Sequence, residues 1–357
     1  MANESDEARI LVLGIETSCD DTACAVVDGS GVVVTSVVSS QLEAHRDFGG
    51  VVPEIASREH LANWPTVSRE TLERAGIGWQ DVDVVAATRG PGLIGALLVG
   101  MSLAKAIAYG LGKPFLGIHH LEGHLYSAFL KAPGEPAEAV PESFVGLVVS
   151  GGHTALYGVA DGAVETIAET RDDAMGEVFD KVGKRLGLVY PQGPLVDELA
   201  EDGIPGGRAL TVARCRDGSL DFSYSGLKTQ VLLAIEALEK DGVETELGTA
   251  AEPPAEVLGL LSDFRAAAVA QLLDRLTRLH RSRPFSVLAV SGGVAANRLL
   301  RHEAAAWAQE REIDLRLVPL IYAGDNAAMI AHAALIRHRR GESDNPLAVE
   351  AASRIPI

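Results

Sequence analysis

Residues 11–40 read "LVLGIETSCDDTACAVVDGSGVVVTSVVSS", and residues 145–173 read "VGLVVSGGHTALYGVADGAVETIAETRDD". Each stretch has an apolar strand, a bend of small and polar residues, a second strand, a tight Asp/Gly turn and a third strand. The spacing from bend to turn is the same, Ser18 to Gly29 and Ser150 to Asp161. A meander written twice, with helices after each copy, points to two similar lobes rather than two unrelated domains. The Pro- and Glu-rich "KAPGEPAEAVPES" at 131–143 has the composition of a surface linker. The expected division is a first lobe over 1–135 and a second over 136–357, with the C-terminal helix returning toward the first.

Beyond the repeats, apolar runs predict further strands at Val82–Ala86, Ser286–Val290 and Leu315–Pro319. Helical spacing is clear over Ile55–Ala75, Gly92–Leu111, Leu195–Ala200, Gly226–Lys240, Val257–Arg281, Ala295–Arg311 and Asn326–Arg339. Strands alternate with helices, so the class is α/β. "EKDGVETELGTAAEPPAEV", residues 239–257, reads as a surface excursion in the second lobe.

Composition limits the function. At 357 residues and 47% apolar the chain can bury two cores. A net charge of −18 argues against a broad nucleic-acid surface, although basic clusters occur at Lys181, Lys184 and Arg185, at Arg275, Arg278, Arg281 and Arg283, and at Arg337, Arg339 and Arg340. The start, "MANESDEAR", is acidic and polar rather than a secretory leader. The longest apolar run, Pro91 to Ala104, falls short of the ~20 residues of a membrane span and reads as a buried helix, so no membrane contact is expected. Cys19, Cys24 and Cys215 form no CxxC pair, which suits a reducing cytoplasm; Cys19 is either a catalytic thiol or a small buried side chain.

Three bends follow apolar strands: "GIETSCDDT", "VVSGGHT" at 148–154 and "AVSGGVAAN" at 289–297. Paired glycines let backbone N–H groups converge on an anion, and a helix start aims its dipole at the same place. Together the three bends suggest a nucleotide or adenylate site between the lobes. Asn297 can face a ribose or base there, or open the final turn as a helix cap. In "GIHHLEGHLYSAFL", His120 and His124 share one helix face and can bind one metal. The pattern is not HExxH, because Glu122 follows His120 by two residues. A distant carboxylate would complete the set: Asp325 in "YAGDNAAMIAHA" is either that ligand or an N-cap. His119 reads as structural.

With "GIETSCDDT", "GGVVPEIASREH", "GPGLIGALLVG", "HHLEGHLYS", "VSGGHT", "DDAMGEVFDKVGKRLGL", "YPQGP", "DFSYSGLKT", "SGGVAANRLLR" and "GDNAAMIA" in series, the chain resembles the TsaD type of tRNA threonylcarbamoyladenosine transferase over residues 9–356. The resemblance implies a two-lobed actin, sugar-kinase and Hsp70-type fold with duplicated ribonuclease-H-like lobes and a ligand cleft. It implies transfer of a threonylcarbamoyl group from threonylcarbamoyl-AMP to N6 of the adenosine beside the anticodon, in tRNAs reading codons that begin with A. His120, His124 and Asp325 would hold one Fe2+ or Zn2+. Val148, Val149, Ser150, Gly151 and Gly152 would contact substrate and phosphate, and Asp180, Gly193, Asp197 and Asn297 would hold the adenylate. The implied partners are tRNA, a non-catalytic TsaB-like paralogue and a small TsaE-like ATPase.

Adenine N6 is a poor nucleophile, so positioning and a carboxylate to receive its proton are expected to supply rate. Asp20 and Asp21 are the candidates, with ordering of the bend as their other reading. Three positions depart from many relatives: Ala323 and Gly324 stand where Cys-Thr is usual, and Asp21 stands where Glu is usual. Readings from other classes are a scaffolding paralogue without chemistry, against which the intact His120, His124 and Asp325 argue, and a small-molecule kinase or ATPase, which leaves the histidine pair unexplained. A metallopeptidase lacks its motif.

Overall fold

The computed structural model describes residues 10–205, 207–212, 215, 217–248 and 252–357. The leader reading of residues 1–9 and the centre of the 239–257 excursion lie outside the described residues. The chain forms two compact units, one running to Pro141 and taking in Val318–Ile357, the other spanning Glu142–Leu317.

In unit 1 the meander is β1 (Leu11–Glu16), β2 (Asp21–Asp28) and β3 (Val33–Ser40), followed by α1 (Leu42–Arg46), α2 (Pro53–Ala75), β4 (Val84–Gly90), α3 (Ile94–Leu111), β5 (Phe115–His119) and α4 (His120–Ser127). The sheet order is β3-β2-β1-β4-β5; β1 and β2 are antiparallel, from Leu11 opposite Asp28 to Glu16 opposite Ala23, whereas β1 and β4 are parallel. Unit 2 repeats it. Its meander is β6 (Ser143–Val149), β7 (Thr154–Ala160) and β8 (Ala163–Glu169). Then come α5 (Met175–Arg185), α6 (Gln192–Asp202), α7 (Ser225–Lys240), α8 (Ala255–Ser282), β9 (Val287–Ser291), α9 (Arg298–Glu310) and β10 (Asp314–Leu317). The order β10-β9-β6-β7-β8 is the same five-stranded arrangement, with two parallel strands after an antiparallel meander. The last helix, α10 (Ala327–Arg339), lies in unit 1 and packs on β1 and α4.

Central strands are buried on both faces, so β1, β4 and β6 read as near-continuous apolar runs. The predicted elements recur within a few residues, but α1, α5 and β5 are additional; "PFLGIHH" is a buried strand up to His119, and the helix begins only at His120. A short apolar run beside helical histidines has no period that separates strand from helix. Helix α3 also differs from expectation. Ala96, Leu97, Gly100, Met101, Ala104 and Ala108 are buried, whereas Ile94, Leu98 and Tyr109 are 48, 52 and 68% exposed. By length and composition alone it could cross a membrane, but it is an amphiphile of small residues whose inner face packs on β4 and α2.

Candidate active site and metal centre

The opening strand ends in a buried carboxylate, Glu16, and the chain then bends through Thr17 to Asp20. Three elements brace this bend. The Ser18 carbonyl accepts from Leu93 N at 2.8 Å and the Asp20 carbonyl from Gln41 N at 3.0 Å. Between them, the Cys19 carbonyl lies 3.0 Å from Nε2 of His60 on α2. A carbonyl only accepts, so His60 Nε2 carries the proton, and its Nδ1 accepts from Thr22 Oγ1 at 2.8 Å and lies 3.1 Å from Gln41 Nε2. Burial holds His60 below its ordinary pKa and so keeps it neutral for this role.

Asp21 starts β2 opposite Ser40. Burial first, then the charge of Asp20, push its carboxyl up to about 7. The Cys19 thiol is pushed far above its usual range by burial and by Asp20, which favours an inert side chain over a nucleophile.

His120 and His124 occupy the first and second turns of α4, and Asp325 precedes α10. His124 Nε2 lies 3.1 Å and His120 Nε2 3.6 Å from Asp325 Oδ1. One ligand atom from each of the three residues falls within 4.8 Å of the others. The cap of α10 is not Asp325 but its neighbour: Asn326 Oδ1 accepts from Met329 N at 2.9 Å. His119 likewise caps α4, its Nδ1 accepting from Leu121 N at 3.2 Å.

Behind the ligands stands Glu16, which the motif reading passed over. Its Oε2 is 3.2 Å from His120 Nδ1 and accepts from Thr88 Oγ1 at 2.6 Å, while Ser18 N donates to Oε1. This fixes a proton of His120 on Nδ1 and turns Nε2 toward Asp325, the usual outer-shell device for a metal-binding histidine. Burial opposes the charge on His120, yet Asp325 and Glu16 push it up to about 9, so the pocket favours positive charge. The buried His124 Nδ1 has no hydrogen-bond partner among the described residues. Two imidazoles and a carboxylate, one imidazole oriented from behind, fit a single divalent cation. A lone carboxylate ending a buried apolar strand was the sequence signal for Glu16.

In unit 2 a cavity of about 540 Å³ gathers Gly151, Asp180, Gly193, Asp197 and Asn297 from the predicted set. Asp180 Oδ1 accepts from Gly193 N at 2.7 Å, tying α5 to the start of α6. Asn297 serves both of its readings: it lines the cavity, and its Oδ1 caps α9 by accepting from Leu300 N at 2.8 Å. Val148 and Val149 are wholly buried strand residues and Ser150 is nearly so; none of these, nor Gly152, lines the cavity. Phe179, Pro191, Pro194, Glu198, Glu201 and Arg298 line it without having been singled out in the sequence. The glycine of the third bend is needed where it stands: Gly292 has φ +92°, and a Cβ there would lie 2.4 Å from the Val149 carbonyl.

Most of the basic clusters have intramolecular partners, several of them at the surface. Lys181 pairs with Asp173 and Glu177, and Arg185 with Glu239. Arg275 is fully buried and donates to the Asp221 carbonyl, and Arg283 pairs with Glu165. Arg337 pairs with Glu342, and Arg339 donates to the Gly29 carbonyl.

A family model described as tRNA N6-adenosine threonylcarbamoyltransferase matches residues 32–332. The chain belongs to the TsaD family. The tRNA N6-adenosine threonylcarbamoyltransferase of Pelobacter propionicus is 47% identical over 323 residues, 90% of either chain. That of Anaeromyxobacter dehalogenans strain 2CP-1 is 46% identical over 94% of this chain and 96% of its own, and that of Sorangium cellulosum is 43% identical over 97% of both. Among solved structures, HypF of T. kodakarensis superposes with a TM-score of 0.60 at 14% identity, over 94% of this chain and 48% of that one, a likeness of fold alone. The duplicated sheets are those of the actin, sugar-kinase and Hsp70 class, and this TsaD-family chain keeps His120, His124 and Asp325 together in unit 1.

Proposed function

We propose that the chain transfers a threonylcarbamoyl group from threonylcarbamoyl-AMP to N6 of the adenosine beside the anticodon, in tRNAs reading ANN codons. Membership of the TsaD family over nearly the whole chain carries the reading. The convergence of two histidines and a carboxylate set 201 residues apart favours it over a scaffolding paralogue, which has no use for such a site.

His120, His124 and Asp325 would hold one Fe2+ or Zn2+, which supplies Lewis-acid polarisation of an acyl oxygen. The chain's own residues do the rest. Glu16 holds the Nδ1 proton of His120 and keeps the ring oriented. Asp21, with its carboxyl near 7, is matched to accept the N6 proton, and Asp20 adds the charge that keeps it basic. The unit 2 cavity takes the adenylate, with Asp180, Gly193, Asp197 and Asn297 at its wall and, in the Val148–Gly152 bend, Gly151 and Gly152 offering backbone N–H groups to the departing phosphate.

Partners in this reading are tRNA, a TsaB-like paralogue and a TsaE-like ATPase. The outward apolar face of α3, with Ile94, Leu98 and Tyr109, and Leu61 on α2 at 59% exposure, suits a protein partner. With its basic residues largely paired internally, the chain would share tRNA with partner surfaces. Three free cysteines suit the cytoplasm.

The test is purified protein with threonylcarbamoyl-AMP, the partner subunits and an ANN-decoding tRNA, followed by nucleoside analysis. Threonylcarbamoyladenosine is expected with wild type and lost with His120→Ala and Asp325→Ala, each of which also loses bound metal by elemental analysis. Wild type that yields no modified adenosine where a family relative does so would sink the reading.

A further inference from the structure

The unit 2 cavity has four carboxylates in its wall: Asp180, Asp197, Glu198 and Glu201. Carboxylates accept from hydroxyls, so this part of the wall suits a ribose rather than the phosphate of a nucleotide. Asp180 is engaged by Gly193 N, and Glu201 is paired with Arg298, itself at the cavity, and more loosely with Arg265 Nη1 at 3.8 Å. Asp197 is held differently. Its Oδ1 takes Asn297 Nδ2 at 2.5 Å and Arg265 Nη1 at 3.3 Å, and the Arg298 backbone N–H also donates to the carboxylate.

Arg265 stands on α8, is 8% exposed and does not line the cavity, so it reaches Asp197 from behind. The same guanidinium donates to the backbone carbonyls of Asp197 and Ala200, both at 3.2 Å, tying the carboxylate and the helix that carries it to one group. Its buried Nε has no hydrogen-bond partner among the described residues. Burying a guanidinium with one donor unsatisfied is costly, and a hydrophobic side chain would join α6 to α8 at less expense.

We propose that Arg265 is a positioning residue for the ligand of this cavity: with Asn297 it fixes the Asp197 carboxylate so that its remaining acceptor capacity meets a hydroxyl of the ligand's ribose. A carboxylate has about four lone-pair sites. Asn297, Arg265 and the Arg298 N–H use three of them, which leaves room for one ligand donor. The proposal rests on the reading of this cavity as the nucleotide site and extends it to a residue that touches no ligand.

The test is calorimetric binding of AMP and of 2′,3′-dideoxy-AMP to the full chain, as wild type, Asp197→Asn, Arg265→Met, Arg265→Lys and the Asp197→Asn/Arg265→Met double variant. Both single variants, D197N and R265M, should weaken AMP about tenfold, the scale of one charge-assisted hydrogen bond. Neither should change dideoxy-AMP, which lacks the hydroxyls, and the double variant should bind AMP no more weakly than D197N alone. Arg265→Lys, which keeps the charge without the fork, should fall between wild type and R265M, and it answers the question if R265M fails to fold. Equal losses for AMP and dideoxy-AMP, or losses that multiply in the double variant, would show a structural staple and overturn the proposal. Weakened AMP binding in D197N with wild-type binding in R265M overturns the role of Arg265 alone. Wild type that takes no AMP, or D197N unchanged, overturns the cavity reading and the proposal with it.

Discussion

Asp21 joins the chemistry of the first bend to the stability of the unit that carries it. Its carboxyl titrates near 7 in the folded chain against 3.8 for the ordinary group, chiefly through burial and then Asp20. Between those values the folded state holds a proton that the unfolded chain has released, so stability falls as pH rises from about 4 to 7. Asp21→Asn should therefore raise unfolding stability at pH 8 by on the order of 2 kcal/mol, about half of full linkage because the carboxyl is partly exposed. Below pH 4 it should change nothing. Urea unfolding at the two pH values measures this. If Asp21 also takes the N6 proton, transfer by the wild type should show a rising limb with its midpoint near 7. The variant should lose that limb together with ~100-fold or more in rate.

His60 acts on the same bend from the back. His60→Ala would leave the Cys19 carbonyl and Thr22 without their partner in a buried place, at a cost of about 2–4 kcal/mol. A thermal melt that shifts by less than a degree would contradict that assignment.

At the scale of elements, one glycine sets the metal centre. A Cβ at Gly14 on β1 would lie 2.3 Å from the Ala327 carbonyl and 2.8 Å from Ala331 N, so only a residue without a side chain lets α10 sit against the strand. That close approach brings Asp325, two residues before the helix, to the histidines of α4. Gly14→Ala is expected to cost about 1–3 kcal/mol through overpacking. It should also lower metal content well below one per chain, measured by elemental analysis, although it alters no ligand.

The sequence made much of this scale legible. The two meanders, their bends and the helix periods could be read because strand and helix patterning is local. The break between β5 and α4 could not be read, because His119 and His120 differ only in which backbone hydrogen bonds they join. The choice of Asn326 over Asp325 as the cap of α10 is of the same kind, since both side chains can cap and only the backbone angles at each position choose between them.

At the scale of the molecule, unit 1 is discontinuous in sequence and unit 2 is not. Residues 142–317 contain a complete five-stranded sheet and its helices, whereas the first 141 residues alone lack α10, whose buried face covers β1 and β2. The fragment 142–317, expressed alone, should show a cooperative thermal transition by circular dichroism, and the fragment 1–141 should not. Adding α10 in trans, as residues 318–357, should restore structure to the first fragment.

What the sequence determined by itself is the duplicated α/β architecture, the family and the side chains eligible for chemistry, because patterning and motif identity are properties of short stretches. Only the tertiary structure decided which eligible groups meet. It placed Glu16 behind His120, set Asp325 rather than its neighbour against the histidines, and put Arg265 behind Asp197. Each of those pairs joins residues 68 or more positions apart, and a contact across that distance is fixed by the packing of whole elements.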